Sequence, residues 1–149
     1  HAGEEAPAEY VWEAIKILKV SRIDHGYHIL DDPILTNKVV QEKIPLTTCP
    51  LSALKLNHIT PLERFPVKVM LKLGMIPTIN SDDPAYFGGY INENFYETSK
   101  AVGLSLEDIV ILSKNSIYAS YMPQDKKIEI YEQIDVQYQN AIKNLDKTF

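Results

Sequence analysis

The 149-residue sequence has one cysteine, six glycines and no stretch approaching the ~18 consecutive apolar residues of a membrane-spanning helix. The single Cys49 excludes an intramolecular disulfide framework. Set in the string Thr47-Thr48-Cys49-Pro50-Leu51, it is expected to be a buried thiol in a reducing compartment, the cytoplasm by default. Positive charge is also in deficit: 15 Lys and Arg against 20 Asp and Glu leave a formal net charge of −5. That balance argues against nucleic acid or an anionic membrane as main partner, since both require a basic surface. No charged-then-apolar leader opens the chain, and its first residue is His rather than Met, so a chain beginning inside a longer protein is expected. What is present is 45% hydrophobic residues, enough for one globular domain with a core.

Helical and strand patterns alternate along the chain. Val11, Ala14, Ile15 and Leu18 fall at helical spacing behind Pro7, and Val20 to Ile23 reads as a strand stopped by Asp24-His25-Gly26. Asp32 can cap and Pro33 open a helix through Val40, followed by a strand from Ile44 to Thr48 that ends at Cys49-Pro50-Leu51-Ser52. Val67, Met70 and Leu71 mark a third helix that Gly74 can end, and Met75 to Asn80 is a strand delivering Ser81-Asp82-Asp83-Pro84. Units of roughly 25 to 33 residues are the size of a βα repeat. Beyond them Ser105 to Asp108 has the form of a capping box, and Ile128, Tyr131, Ile134, Tyr138, Ile142 and Leu145 trace one face of a long last helix. In parallel α/β folds the site lies at the carboxyl ends of the strands, so His1-Ala2-Gly3-Glu4 and the three strand endings are expected to converge. Three visible strands, with one more preceding His1, are half of an eight-stranded barrel, which needs ~250 residues when complete.

Each candidate has an ordinary alternative. His1 and Glu4, separated by two small residues, suit a tight turn presenting an imidazole and a carboxyl to one ligand, or an exposed turn without function. His25 precedes a glycine that permits close backbone approach; the plainer reading is a half-buried histidine bonded to a loop carbonyl, and His28 and His58 are assigned to that class. Asp82 and Asp83 are adjacent carboxylates whose repulsion a cation would offset, although Asp-Asp-Pro is also a common turn string. Together these groups make a metal-ligand set with an acid and a base. A nucleotide-binding flavodoxin-like sheet would want a Gly-rich phosphate loop after a strand, and Gly88-Gly89 does not fit one.

The strings His1-Ala2-Gly3-Glu4, Arg22-Ile23-Asp24-His25-Gly26, Cys49-Pro50-Leu51-Ser52 and Asn80-Ser81-Asp82-Asp83-Pro84 resemble, in order and spacing, those of the adenosine/adenine deaminase family, over essentially the whole chain. The run Ser81 to Tyr90 and the Asp24 before His25 look more like the adenine branch. The resemblance implies the C-terminal half of a (β/α)8 TIM-type barrel with extra C-terminal helices, residues 1–149 forming part of a single domain. It implies one Zn2+ per active site, with His1 and Asp82 as metal ligands. Glu4 would be the acid that protonates a purine ring nitrogen, and His25 would orient the attacking water. Asp83 and Gly3 would bind the purine, with Tyr86 and Phe87 helping to wall the pocket. The implied reaction is hydrolysis of adenine to hypoxanthine and ammonia in purine salvage; the alternatives are adenosine to inosine, or a non-catalytic barrel remnant serving as a binding module. Two departures stand out: no His-x-His pair, the family's other two zinc ligands, occurs in the chain, and Ala53 follows Cys-Pro-Leu-Ser where the family often has Asn. The 149 residues alone are therefore expected to be inactive, requiring the N-terminal half of the barrel, and the open sheet edges are expected to associate with that half or with a second copy.

Overall fold

The computed structural model describes residues 1–145. Helix α1 (Ala8–Lys16) follows Pro7 and buries Val11, Ala14 and Ile15. It stops before Leu18, which is 72% exposed, so Leu18 is not part of the buried face. Strand β1 is Ile23–Asp24 rather than Val20 to Ile23. A strand extends only where it has a partner: Ile23 and Asp24 stand opposite Leu46 and Thr47, whereas the Val20 amide donates to Ala14 O and closes the end of α1.

Helix α2 (Pro33–Gln41) begins as its sequence predicts. Asp32 Oδ1 accepts from the amides of Ile34 (2.8 Å) and Leu35 (3.1 Å), while Oδ2 accepts from Trp12 Nε1 at 2.8 Å, tying α1 to α2. Strand β2 (Pro45–Thr48), the short α3 (Pro50–Lys55), α4 (Val67–Lys72) with Gly74 just past its end, and β3 (Ile76–Ile79) follow. Then come α5 (Pro84–Phe87), α6 (Ile91–Val102), α7 (Leu106–Ala119) and α8 (Gln124–Leu145). The capping box is formed: Ser105 Oγ accepts from the Asp108 amide at 3.1 Å and Asp108 Oδ2 from the Ser105 amide at 2.9 Å. On α8, Tyr131, Ile134, Tyr138 and Ile142 are half-buried, Ile128 is exposed, and the Leu145 side chain lies outside the described residues.

The three strands form a parallel sheet in the order β1-β2-β3, with β2 registered against β3 from Pro45 opposite Ile76 to Thr48 opposite Ile79. Ala2 adds a parallel bridge to His25 beyond the outer edge of β1. Parallel pairing requires a crossover between successive strands, and α2 and α4 lie in those crossovers. Leu35, Leu46, Met70, Ile79 and Leu112 are fully buried in one core, each contributing roughly 1.5–3 kcal/mol through removal from water. Leu112 comes from α7, which packs over β2 and β3 and is pinned there by Asn115 Nδ2 donating to Pro77 O at 2.8 Å. Among the described residues no further strand pairs with the free edge of β3.

Candidate active site

Because the strands are parallel, all three release their chains on the same side. His25 follows β1, Cys49 follows β2, and Asn80, Ser81 and Asp82 follow β3. With His1, Asp24, Thr47 and Ile91 they line one cleft of about 370 Å³. A larger groove of about 1030 Å³ between α7 and α8 is lined mainly by apolar and amide side chains. Size therefore does not locate the chemistry here; the strand ends do.

The backbone around the cleft is unusual. His25 and Asp82 have φ of 70° and 56°, a left-handed conformation that costs a residue with a Cβ about 1–3 kcal/mol and persists where surrounding contacts enforce it. For His25 those contacts are its amide donating to Thr47 O at 2.9 Å and its bridge to Ala2. The turn continues into Gly26 (φ 71°), whose amide donates to Ala2 O at 3.1 Å; a Cβ there would meet Ile29 Cδ1 at 2.9 Å. Gly3 (φ 69°) is tighter still, since a Cβ would lie 2.6 Å from Val11 Cγ2. These close approaches dock the segment His1 to Glu4 against the end of β1.

The imidazole of His25 is buried, its ring 4.8 Å from that of His1, and its Nδ1 lies 3.6 Å from Glu4 Oε1. His1 is largely exposed, with Nδ1 3.8 Å from Asp24 Oδ2. Asp24 also faces Arg22 Nε at 3.8 Å and accepts a hydrogen bond from Thr47 Oγ1. Beneath them the Tyr27 hydroxyl accepts from the Cys49 amide at 3.0 Å and donates to Cys49 O at 3.3 Å, with burial raising its pKa far above the usual phenol range. Burial, followed by the carboxylates of Asp82, Asp24 and Glu4, pushes the Cys49 thiol up to about 12.

Of the six residues singled out from sequence, His1, His25 and Asp82 line the cleft, and Glu4 adjoins it through His25. Gly3 acts through the backbone, its carbonyl accepting from the His28 amide at 2.9 Å. Asp83 does not line the cleft: it is exposed at the start of α5, where its carbonyl accepts from the amides of Tyr86 and Phe87. Tyr86 is 84% exposed and Phe87 is buried, and neither is among the residues that line the cleft, contrary to expectation. His58 departs from its assignment as well. Rather than bonding a loop carbonyl, its Nε2 faces Glu4 and Glu5. His28 pairs with Asp31 at 2.6 Å on the surface. Asp24, Thr47 and Cys49 were not marked as site residues from sequence; their positions beside His25 on paired strands are the signal that would have found them.

The donor set suits a divalent cation. A ring nitrogen of His25, Cys49 Sγ and a carboxylate oxygen of Asp82 lie within 4.8 Å of one another, with the His1 ring beside that of His25. Imidazole and carboxylate are among the ligands that zinc takes. The model of the adenosine deaminase family matches residues 1–137. The chain belongs to the adenosine deaminase family. It is 54% identical over 129 residues to an adenine deaminase of Caulobacter vibrioides, covering 87% of this chain and 38% of that protein. With an adenine deaminase of Acinetobacter baylyi it shares 47% identity over 135 residues, 91% of this chain and 41% of that one. The crystal structure of adenine deaminase from Arthrobacter aurescens superposes with a TM-score of 0.91 at 39% identity, over 93% of this chain and 42% of that one. A cog1816 amidohydrolase from Burkholderia ambifaria, determined with bound Zn, gives a TM-score of 0.86 at 27% identity, over 99% and 42% of the two chains. The likeness within the family is thus to adenine deaminases, and the chain spans about two fifths of the length of these relatives.

Proposed function

We propose that the chain carries one half of the active site of a zinc-dependent adenine deaminase, which hydrolyses the 6-amino group of adenine to give hypoxanthine and ammonia in purine salvage. The observation that carries this reading is the meeting, in one cleft, of His1 with His25 and Asp82 from the carboxyl ends of two parallel strands, with Glu4 held against His25. His1 and Asp82 would hold one zinc ion. When bound, zinc supplies the Lewis acidity that makes water a nucleophile at neutral pH. His25 orients the attacking water and holds its proton for the departing amine. Glu4 donates a proton to the ring nitrogen beside the reacting carbon, offsetting the charge that addition places on the ring. Asp83, exposed next to Asp82 and outside the cleft lining, would bind the edge of the purine that projects from the cleft, together with the backbone at Gly3. Adenine is preferred over adenosine in this reading because the relatives named above are adenine deaminases.

Two ligands do not hold a catalytic zinc, which normally has at least three from protein. The 149 residues are therefore inactive by themselves in this reading. They form the C-terminal half of a single eight-stranded barrel domain, and the N-terminal half supplies the missing ligands and pairs with the open sheet edges. The test is ammonia release from adenine and from adenosine, with metal analysis, on the complete protein containing this sequence. Release from adenine with one zinc per chain supports the proposal. Release from adenosine alone moves it to the sister reaction, and no release with no metal favours a non-catalytic remnant.

A further inference from the structure

Glu4 has an imidazole on each side. Toward the cleft, its Oε1 lies 3.6 Å from His25 Nδ1; on the far side, the same oxygen lies 3.7 Å from His58 Nε2, which is itself 3.4 Å from Glu5 Oε1. The row Glu5, His58, Glu4, His25 joins an exposed end to a buried one: the side chain of Glu5 is 76% exposed and that of His25 3%, with His58 and Glu4 between them at 16% and 20%. His58 Nε2 and His25 Nδ1 are both buried atoms without a hydrogen-bond partner. Leaving such an atom unpaired costs free energy unless it serves a purpose or closes on a partner when the site is occupied. The ring of His58 is brought here by the end of α3: Asn57 turns the chain at φ 61°, and the amides of His58 and Ile59 both donate to Ala53 O.

The deaminase reading gives this arrangement work to do. In each turnover the proton of Glu4 passes to the ring nitrogen and stays there in the lactam product. The water divides: its hydroxyl adds to the ring carbon, and its other proton leaves with the amine as ammonia. The hydroxyl proton passes to His25, which has by then given its first proton to the amine, and leaves to solvent as the carbonyl forms. Glu4 is left as a carboxylate and must regain a proton before the next turnover. We propose that His58 is the relay that returns it. As an imidazolium, His58 transfers its Nε2 proton to Glu4 Oε1 and becomes neutral. The freed lone pair then takes a proton from solvent at the exposed Glu5 side chain, which balances the proton released as the product carbonyl forms. Separations of 3.4–3.7 Å close to hydrogen-bond length by a small side-chain shift, as acid and base contacts commonly do when substrate binds. His58 touches neither substrate nor metal in this scheme; it acts through Glu4.

The inference rests on the role proposed for Glu4, and the experiment separates the two. In the zinc-loaded complete protein, His58→Ala and His58→Gln are compared with wild type for kcat, KM and zinc content. Glutamine can donate a hydrogen bond but cannot carry a proton, so the relay predicts that both variants lose about 100-fold in kcat, with KM and zinc content unchanged. It further predicts that added imidazole, at concentrations that leave the wild-type rate unaltered, restores much of the loss in His58→Ala, which leaves a cavity the size of the missing ring. A His58→Gln enzyme with the wild-type rate, or variants that are slow but indifferent to imidazole, would overturn the relay while leaving the deaminase reading standing. A wild-type protein that releases no ammonia from any purine removes both.

Discussion

Substituting Gly3 by alanine in the complete protein puts the packing of the site segment to a quantitative test. Gly3 lies at φ 69°, and an added Cβ would meet Val11 Cγ2 at 2.6 Å. The backbone conformation by itself costs an L-residue roughly 1–2 kcal/mol. The contact adds overpacking against a valine that is fully buried in α1, worth roughly 1–3 kcal/mol. The expected loss is therefore about 2–5 kcal/mol, a large share of the 5–15 kcal/mol typical of a folded domain. Gly88→Ala is the control: its φ is 76°, but nothing lies within 4 Å of the added Cβ, so only the first cost applies. Urea unfolding of the two variants should differ by the cost of the Val11 contact. In a double-mutant cycle with Val11→Ala, the alanine at position 3 should cost about 1 kcal/mol less than it does beside valine, because the clashing methyl has gone. Equal losses for Gly3→Ala and Gly88→Ala, together with a cycle that sums to zero, would refute the close approach. A Gly3→Ala enzyme of normal stability and raised KM would leave Gly3 as a substrate contact alone.

The two aspartates are expected to separate. Asp82→Ala should lose zinc and activity together, whereas Asp83→Ala should keep zinc and raise KM, as metal analysis beside kinetics would show; equal zinc loss would mean the pair is wrongly assigned. Asp32 carries a pH dependence. The hydrogen bond from Trp12, then those from the Leu35 and Ile34 amides, hold its carboxyl below the ordinary 3.8. A depressed carboxyl stabilises the folded state at pH above its unfolded value, and that contribution is lost as pH falls through the folded one. Wild type should therefore exceed Asp32→Asn in urea midpoint at neutral pH, with the gap narrowing below about pH 4; a gap constant with pH would show that the ionised carboxyl is not the stabilising form.

Much of this protein could be read without coordinates. Asp32-Pro33 and the Ser105 to Asp108 box announce helix starts through side chains that bond amides within three residues of themselves, so their chemistry is local. The alternation of helices and strands, and the unusual residues past each strand, indicated a parallel arrangement with its site at one end. The length of β1 was not readable in this way, because pairing opposite Leu46 and Thr47 ends the strand where hydrophobicity does not. The place of His58 was not readable either. It lies 54 positions from Glu4, and only the turn after α3, packed against the docked His1 to Glu4 segment, brings the two together. The same holds for the Cys49 thiol, whose pKa is raised by burial and by carboxylates from three separate segments, those of Asp82, Asp24 and Glu4. Sequence determines which groups are available and which helices begin where, since those depend on neighbours along the chain. Tertiary structure decides which groups face one another and how much water lies between them, because both depend on strand register and on the burial that follows from it.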